Sequence, residues 1–501
     1  MTPHRAAGAS ILQKGLMWNE RFNVYAIQNR GDLLMVDFRK LILMVFVLGL
    51  FSRFGSAQLA TNCTLYVSPS GGGNGSTASS PTTLAGANSA SVPGSVICLE
   101  GGTYNLSSTF GPSHSGTSSN YITWKAYGNS PANFVWTGGA GANNGTGRQM
   151  IAVNGPSYIK FIGFNLNGQQ YANSGILCHG GHHILYQNLY VKNMIYSGLV
   201  SSDCDYMVAD HNQVFHVGEN PYGVYTIGSN AGSGITYNQQ SLLDTYPGLH
   251  SVISNNIVSG EFDPTSAHTD GNGISLDLTN QSTSGTTLIV NNVVYGNGGR
   301  CIEVNSTSPD YWTGTMVVNN TCYMNSLDLT SKSVRPNFID LSSQHTHFIN
   351  NISYAWSGWG GTVPNYQLVN GASGTTFNKV LWYGGVLGVS SSSQVMNANP
   401  LFVSPPAFNA TAGGQYANSI DPALLGNALA LQSGSPAKGV GVDPATISGI
   451  ASQVVTDMQP FIYVDINGVA RPHSGMDLGA YQSTGTSPTP APPTGLTAIV
   501  Q

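Results

Sequence analysis

VNNVVYG at 290–296, VNNTCYM at 318–324 and INNISYA at 349–355 are three versions of one short phrase. In each, an apolar run meets an Asn pair and resumes at once. Working outward, related phrases occur as SNNIVSG at 254–260, ADHNQVF at 209–215, LYQNLYV at 185–191, FIGFNL at 161–166 and TFNKVLW at 376–382. The markers are Asn165, Asn188, Asn212, Asn256, Asn292, Asn320, Asn351 and Asn378, separated by 23, 24, 44, 36, 28, 31 and 27 residues. A period near 23 with insertions describes one supersecondary unit stacked on copies of itself. Asn tolerates left-handed turns and satisfies backbone groups, so a column of Asn is expected at one corner of each coil. Three residues on, Val191, Phe215, Ser259, Tyr295, Tyr323, Tyr354 and Leu381 are expected to stack along a core.

A second phrase lies between the markers: SGILC (174–178), SGLVS (197–201), YGVYT (222–226), NGISLD (272–277) and RCIEV (300–304). Each coil therefore has at least two strands, with Gly at a corner where the backbone is restrictive. Only 8% of the 501 residues are charged and 62 are Gly, which suits strands and turns. The 41% hydrophobic and 10% aromatic content argues against disorder.

This pattern resembles the right-handed parallel β-helix of pectate-lyase-like proteins, of the secreted bacterial kind. The opening YVSPSGGG (66–73) and PGSVICLEGGTY (93–104) look like its first coils. NPLFVSP (399–405), LQSGSPAKGVG (431–441) and DINGVARPHSGMDLGAYQ (465–482) are similar to its terminal motifs. The resemblance implies an all-β fold: a single right-handed parallel β-helix over residues 58–382 with long loops, then terminal coils and a C-terminal cap over 383–482. It does not fix an activity, because one fold hosts many chemistries.

LILMVFVLGLF at 41–51 follows Arg39 and Lys40 and precedes Gly55-Ser56-Ala57, the layout of a cleaved export leader over 1–57. The basic segment preceding the run has an ordinary length when counted from Met35, so a start there is expected. STGTSPTPAPPT at 483–494 reads as a Pro-rich linker, and the closing GLTAIVQ as the first strand of a truncated module. Cleavage would remove 7 of 17 Lys and Arg and 3 of 22 Asp and Glu, leaving a formal net charge of −9. That balance argues against nucleic acid as a partner, and after cleavage no membrane partner is expected. A monomer is expected. All six Cys follow the cleavage site, and sequence order suggests the pairs 63–98, 178–204 and 301–322 among 15 connectivities.

Chemistry concentrates in AHTDGNGISLDL at 267–278. Period-two alternation sends Ile274 and Leu276 inward and Ser275 and Asp277 outward. Aligning Ile274 with Ile302 sets Ser275 beside Glu303 and Asp277 beside Asn305, so Asp277 and Glu303 lie about 8 Å apart along the backbone. His268 and Asp270 ride on the preceding loop, and Arg300 is the only basic residue between Lys192 and Lys332. Asp270, Asp277, Arg300, Glu303 and His268 are therefore the candidate catalytic residues. Arg300 is read equally as a ligand group or as a structural partner of Glu303.

Lys192 and His216, four residues after their markers, form one candidate binding column. His182, Tyr206, His250, Thr286 and His345, six residues before theirs, form another. The insertion GSNAGSGITYNQQSLLDTYP adds Tyr237 and Tyr246, side chains suited to sugar faces. Lys192, His216, Tyr237, Tyr246 and His250 are the candidate substrate-binding residues.

The expected function is an exported carbohydrate-active enzyme cleaving a polysaccharide along the solenoid, as a glycoside hydrolase or a Ca²⁺-dependent lyase. Hydrolysis would use the carboxyls as acid, base or nucleophile. Lyase chemistry would use Lys192, Arg300 or His268 as base, with Asp270, Asp277 and Glu303 on Ca²⁺. The acidic balance favours a neutral glycan, or else calcium. The Asp-Asp, Gly-His-Gly and Arg-Ile-Lys pieces of polygalacturonases are missing, as is the pectate-lyase Arg motif, so no family's catalytic residues are carried over. The alternative is a non-catalytic cell-surface protein that binds glycan or serves as structure.

Overall fold

The computed structural model describes residues 62–139, 148–218, 232–263, 268–279, 285–306, 314–329, 334–358, 361–369, 371–408 and 420–483. The leader, YGVYT and the Pro-rich tail lie outside these residues.

Each repeat folds as three short strands, one more than the two phrases require. Strands such as His182–Gln187, Asp205–Asp210, Leu249–Ser254, Thr286–Val290 and Met316–Val318 stack in parallel as a first ladder. Tyr190–Lys192, Gln213–Phe215, Ile257–Ser259, Val293–Tyr295 and Thr321–Tyr323 form a second. The third is an eight-stranded sheet from Ile151–Asn154 to Tyr366–Val369. The result is a single parallel β-helix. Its core runs up the axis through columns such as Val191, Val214, Val258 and Val294. Leu84–Ala90, N-capped by Thr83, puts Ala87 against the first coil.

The Asn phrase divides its work between two neighbouring residues. Asn188, His211, Asn255, Asn291, Asn319 and Asn350 turn the corner with φ between 53° and 57°. The residue after each pair's first Asn points inside. Asn212, Asn256, Asn292, Asn320 and Asn351 are all buried. The backbone N and Nδ2 of Asn292 both donate to Asn320 Oδ1 at 2.9 Å, and those of Asn320 to Asn351 Oδ1 at 2.8 and 3.0 Å. Each Nδ2 also donates to a carbonyl of the preceding coil, as Asn320 does to Ile289 at 2.9 Å. Asn165 and Asn378 instead lie within strands, outside this chain of amides.

Two further expectations change. The glycines of SGILC, SGLVS and NGISLD are required by proximity rather than by φ. A Cβ on Gly175, Gly198 or Gly273 would fall 2.6, 2.5 and 2.2 Å from Cγ1 of Val191, Val214 and Val294. The column Tyr295, Tyr323 and Tyr354 is in register but faces away from the axis, since Val294 and Cys322 take the inward positions. These tyrosines are covered by Phe402 and Phe408, with Tyr295 Oη donating to the Ile420 carbonyl at 2.6 Å.

Residues 383–482 were expected to complete the solenoid and cover its open end. Val395–Asn397 adds a last rung beside Val380–Tyr383, and residues 398–482 follow it. Their described contacts lie along its flank. Val454, Met458, Phe461 and Ile462 of the helix Ser452–Ile462 cover the outer, apolar face of the first ladder. Phe402, Phe408 and Leu425 cover the second. The reason is legible afterwards: the outward positions of the first ladder carry Val252, Leu288, Val290 and Met316, and those of the second Val293, Tyr295, Tyr323 and Ile352, which water would otherwise meet. The disulfides are Cys63–Cys98, Cys178–Cys204 and Cys301–Cys322, the pairs that sequence order suggested.

An aromatic stack crosses four coils: Tyr158 on His183, His183 on Tyr206, and Tyr206 on His250, with centroids 4.6, 4.4 and 4.6 Å apart. His183 holds the place expected for His182. Buried His250 meets the Asp205 carboxylate at Nδ1 (2.9 Å) and the Tyr246 carbonyl at Nε2 (2.9 Å). Both partners accept, so the ring is an imidazolium. Burial alone lowers its pKa, but Asp205 and the carbonyl outweigh burial and raise it above 6.5. The stabilisation is then complete below 6.5 and is lost as pH rises through the higher folded value. His250→Phe keeps the stack and removes the charge. Thermal melts should show the variant closing its stability deficit as the pH is raised; a deficit constant from about pH 5 to about pH 9 would refute the charged state.

Candidate functional site

With two ladders covered by the C-terminal segment, the third carries the half-exposed outward positions Asn238, Asp277 and Asn305, while Ser275 and Glu303 on it are buried. The expected register is observed there: Ile274 pairs with Ile302 and Ser275 with Glu303. Ile274, Leu276, Ile302 and Val304 are wholly buried in the core. Asn305 Nδ2 donates to Asp277 Oδ1 at 2.7 Å, confirming that neighbouring pair.

The loop before Ile274 is tied down from several directions. Asp263 Oδ2 accepts the backbone N–H groups of Thr269 (2.6 Å) and Asp270 (3.0 Å). Arg300 Nη1 donates to the Thr269 carbonyl at 3.2 Å and to Glu303 Oε2 at 2.6 Å. Arg335 Nη2 donates to the His268 carbonyl at 2.6 Å. His268 Nδ1 lies 3.0 Å from Asp328 Oδ2. Asn272 accepts Arg300 N at Oδ1 (2.8 Å) and donates from Nδ2 to Glu303 (2.8 Å). His268 itself sits at φ 47°, a backbone conformation that a non-glycine residue holds only when its surroundings impose it.

These ties leave Asp270 half-buried among like charges. Burial first, then Glu303, Asp263 and Asp277, push its carboxyl up to about 8, with Arg300 opposing them. Asp270 is therefore a protonated acid at neutral pH. Glu303 is also raised, by burial, although Arg300 pulls against that shift. Arg300 and Glu303 form a buried ion pair, the structural half of the expected division.

Asp270, Asp277, Arg300, Glu303 and His268 thus come together. The five substrate-binding candidates do not join them. Tyr237 is fully buried in the coil, because GITYN is not loop: Ile235–Asn238 is the third-ladder strand of its coil. Tyr246 donates to Asp457 of the C-terminal helix at 3.0 Å, and His250 is buried in the stack described above. Lys192 lies against Tyr190, whose hydroxyl donates to Asp421 at 2.5 Å, and His216 stacks on Phe215. Both are on the second ladder, beneath the C-terminal segment.

Sequence reading missed Asp263, Asn272, Asp328 and Arg335. Arg335 lies just beyond Lys332, so the expected lone cation is one of two. It also missed Tyr196, whose phenol is pushed up by burial and then by Asp270, Asp277 and Asp263. The available signal was weak: Asp263 and Asp270 share one insertion, and Asn272 stands one repeat before Arg300.

Among the described residues no three His, Cys, Asp or Glu side chains converge on a metal-binding arrangement. No step is drawn through a metal. No described helix is long and apolar enough to cross a membrane.

No family model matches the sequence. No curated protein matches it significantly. Among solved structures, the chain is similar to pectate lyase Pel9A at 18% identity, over 85% of this chain and 98% of that one, with a TM-score of 0.48. A protein described as a glycoside hydrolase matches at 10% identity over 67% and 94% of the two chains, with a TM-score of 0.46. An alginate lyase from Paenibacillus sp. str. FPU-7 matches at 17% over 65% and 99%, with a TM-score of 0.36. These are likenesses of fold, and no residue role is carried over from them. By the register of its three ladders, the chain is a single parallel β-helix.

Proposed function

We propose that this chain is an exported carbohydrate-active enzyme that hydrolyses a polysaccharide on the third face of its β-helix. The observation that carries the reading is the gathering of Asp263, Asp270, Asp277 and Glu303 on the third ladder and the loop before it, tied by Asp263, Asn272 and Arg300. There burial and the neighbouring carboxylates push Asp270 up to about 8 beside the half-buried Asp277. In this mechanism Asp270 gives its proton to the glycosidic oxygen as the bond to the anomeric carbon breaks. A water adds to that carbon and loses its proton to Asp277. Arg300 and Glu303 fix the loop without touching substrate, and burial with the charges of Glu303, Asp263 and Asp277 keeps Asp270 protonated against the pull of Arg300. Export is supported by three disulfides, which form in oxidising compartments.

The lyase alternative needs a base beside a uronate carboxylate and a cation for that carboxylate. Here Arg300 is already committed to Glu303. A screen on xylan, mannan, arabinan, polygalacturonate and alginate tests the choice, reading new reducing ends and the ultraviolet absorbance of unsaturated sugars. Reducing ends without that absorbance are expected, with turnover lowered about 10²-fold or more in Asp277→Asn. An unsaturated product would replace hydrolysis by elimination. Binding without turnover in a folded protein would favour the non-catalytic surface protein.

A further inference from the structure

The polar face continues beyond the acids in one direction only. Asp277 pairs with Asn238, Asn238 with Ser202, Ser202 with His179 and His179 with Asn154, one residue per coil on the outward side. Four rung steps span about 19 Å. Asn154 and His179 are exposed, and Ser202 and Asn238 half-buried. The His179 ring, with its side chain 57% exposed, is steadied by Asp203 at 3.5 Å. Among the described residues, Asn238 Oδ1, on the rung beside Asp277, is buried without a hydrogen-bond partner, a state that calls for an explanation. In the opposite direction the same row reads Asn305, Leu341 and Val369, turning apolar after one coil.

We propose that this row is a binding track for a glycan chain, so that the substrate lies mostly over the N-terminal coils and is cut near one end of its bound segment. This rests on the hydrolytic reading of the acid site. The rungs offer amides, a hydroxyl and an imidazole, groups that pair with sugar hydroxyls, and none carries a Lys or Arg to meet a sugar carboxylate. The ligand class is therefore an extended polysaccharide recognised through its hydroxyls. The regular spacing of the rungs presents equivalent groups to successive parts of an extended chain.

The test is kcat/KM along an oligosaccharide length series prepared from whichever polysaccharide of the screen is cleaved. For the native protein it rises with length until the chain reaches Asn154. In His179→Ala and Asn154→Ala the longest oligosaccharides lose about three- to tenfold, the effect of one neutral hydrogen bond, while the shortest cleaved one is unchanged. Val369→Ala leaves the series intact. Thermal melts confirm that the exposed-site variants fold. Identical length dependence in native and variant proteins overturns the track but leaves the acid site standing. Absence of turnover on every polysaccharide overturns the hydrolytic reading and the track with it.

Discussion

Asp270→Asn is expected to abolish most turnover, by about 10²–10⁴-fold, and at the same time to stabilise the protein at neutral pH. The two effects share one cause. The folded chain holds the carboxyl's proton up to about 8. In the unfolded chain an Asp releases it near 3.9. Between those values the unfolded state has released a proton that the folded state retains, so stability falls as pH rises. Asn keeps the shape of the protonated acid and does not ionise. Its advantage in melting temperature should therefore grow from about pH 4 to about pH 8 and then level off. On the hydrolytic reading, the native protein's rate should fall above about 8 as Asp270 loses its proton. A variant that keeps a tenth of its turnover would remove Asp270 from catalysis. A melting-temperature gap independent of pH would remove the buried, protonated acid.

Asn320→Ala should be among the most destabilising single changes in the solenoid, at about 3–5 kcal/mol. Its side chain accepts from the backbone and side chain of Asn292 and donates to the Ile289 carbonyl and to Asn351. Truncation strands the Asn292 N–H and the Ile289 carbonyl in an interior that water does not reach. Each buried orphan costs about 1–3 kcal/mol. Asn319→Ala, one residue away, removes a left-handed corner at φ 54° rather than a rung of the ladder. It should cost about 1–2 kcal/mol. Urea unfolding of both variants separates the cases, and equal losses would contradict the division of labour within the Asn pair.

The fold was largely legible because its repeat is local. Each Asn phrase states a corner and an inward residue within a few positions, so the sequence carries the coil over and over. What blurred the reading was adjacency. Asn319 and Asn320 do different work one residue apart, and a ladder drawn through single Asn markers mixed Asn188, a corner, with Asn212, a rung. The same one-residue ambiguity placed Tyr295 inside when alternation turns it out, and named His182 where His183 stacks. In a strand a shift of one residue exchanges faces.

The acid site divides along a similar line. Asp277 and Glu303 were placed correctly because register follows from the apolar pairs Ile274–Ile302 and Leu276–Val304. Asp263, Asp328 and Arg335 were not, because they reach the site from loops whose path no periodicity describes. Tyr237 was misread for a related reason: its strand lies inside a segment that looked like an insertion.

By itself the sequence determined the coil and the register that brings Asp277 beside Asn305, since each follows from short-range pattern repeated in order, while chain order only suggested the disulfide pairs. Only the tertiary structure decided which face stays open, because that depends on where the C-terminal helix and its neighbours settle over the apolar outer ladders. It alone decided the protonation of Asp270 too, since that carboxyl's proton affinity comes from burial and from charges brought in by separate loops.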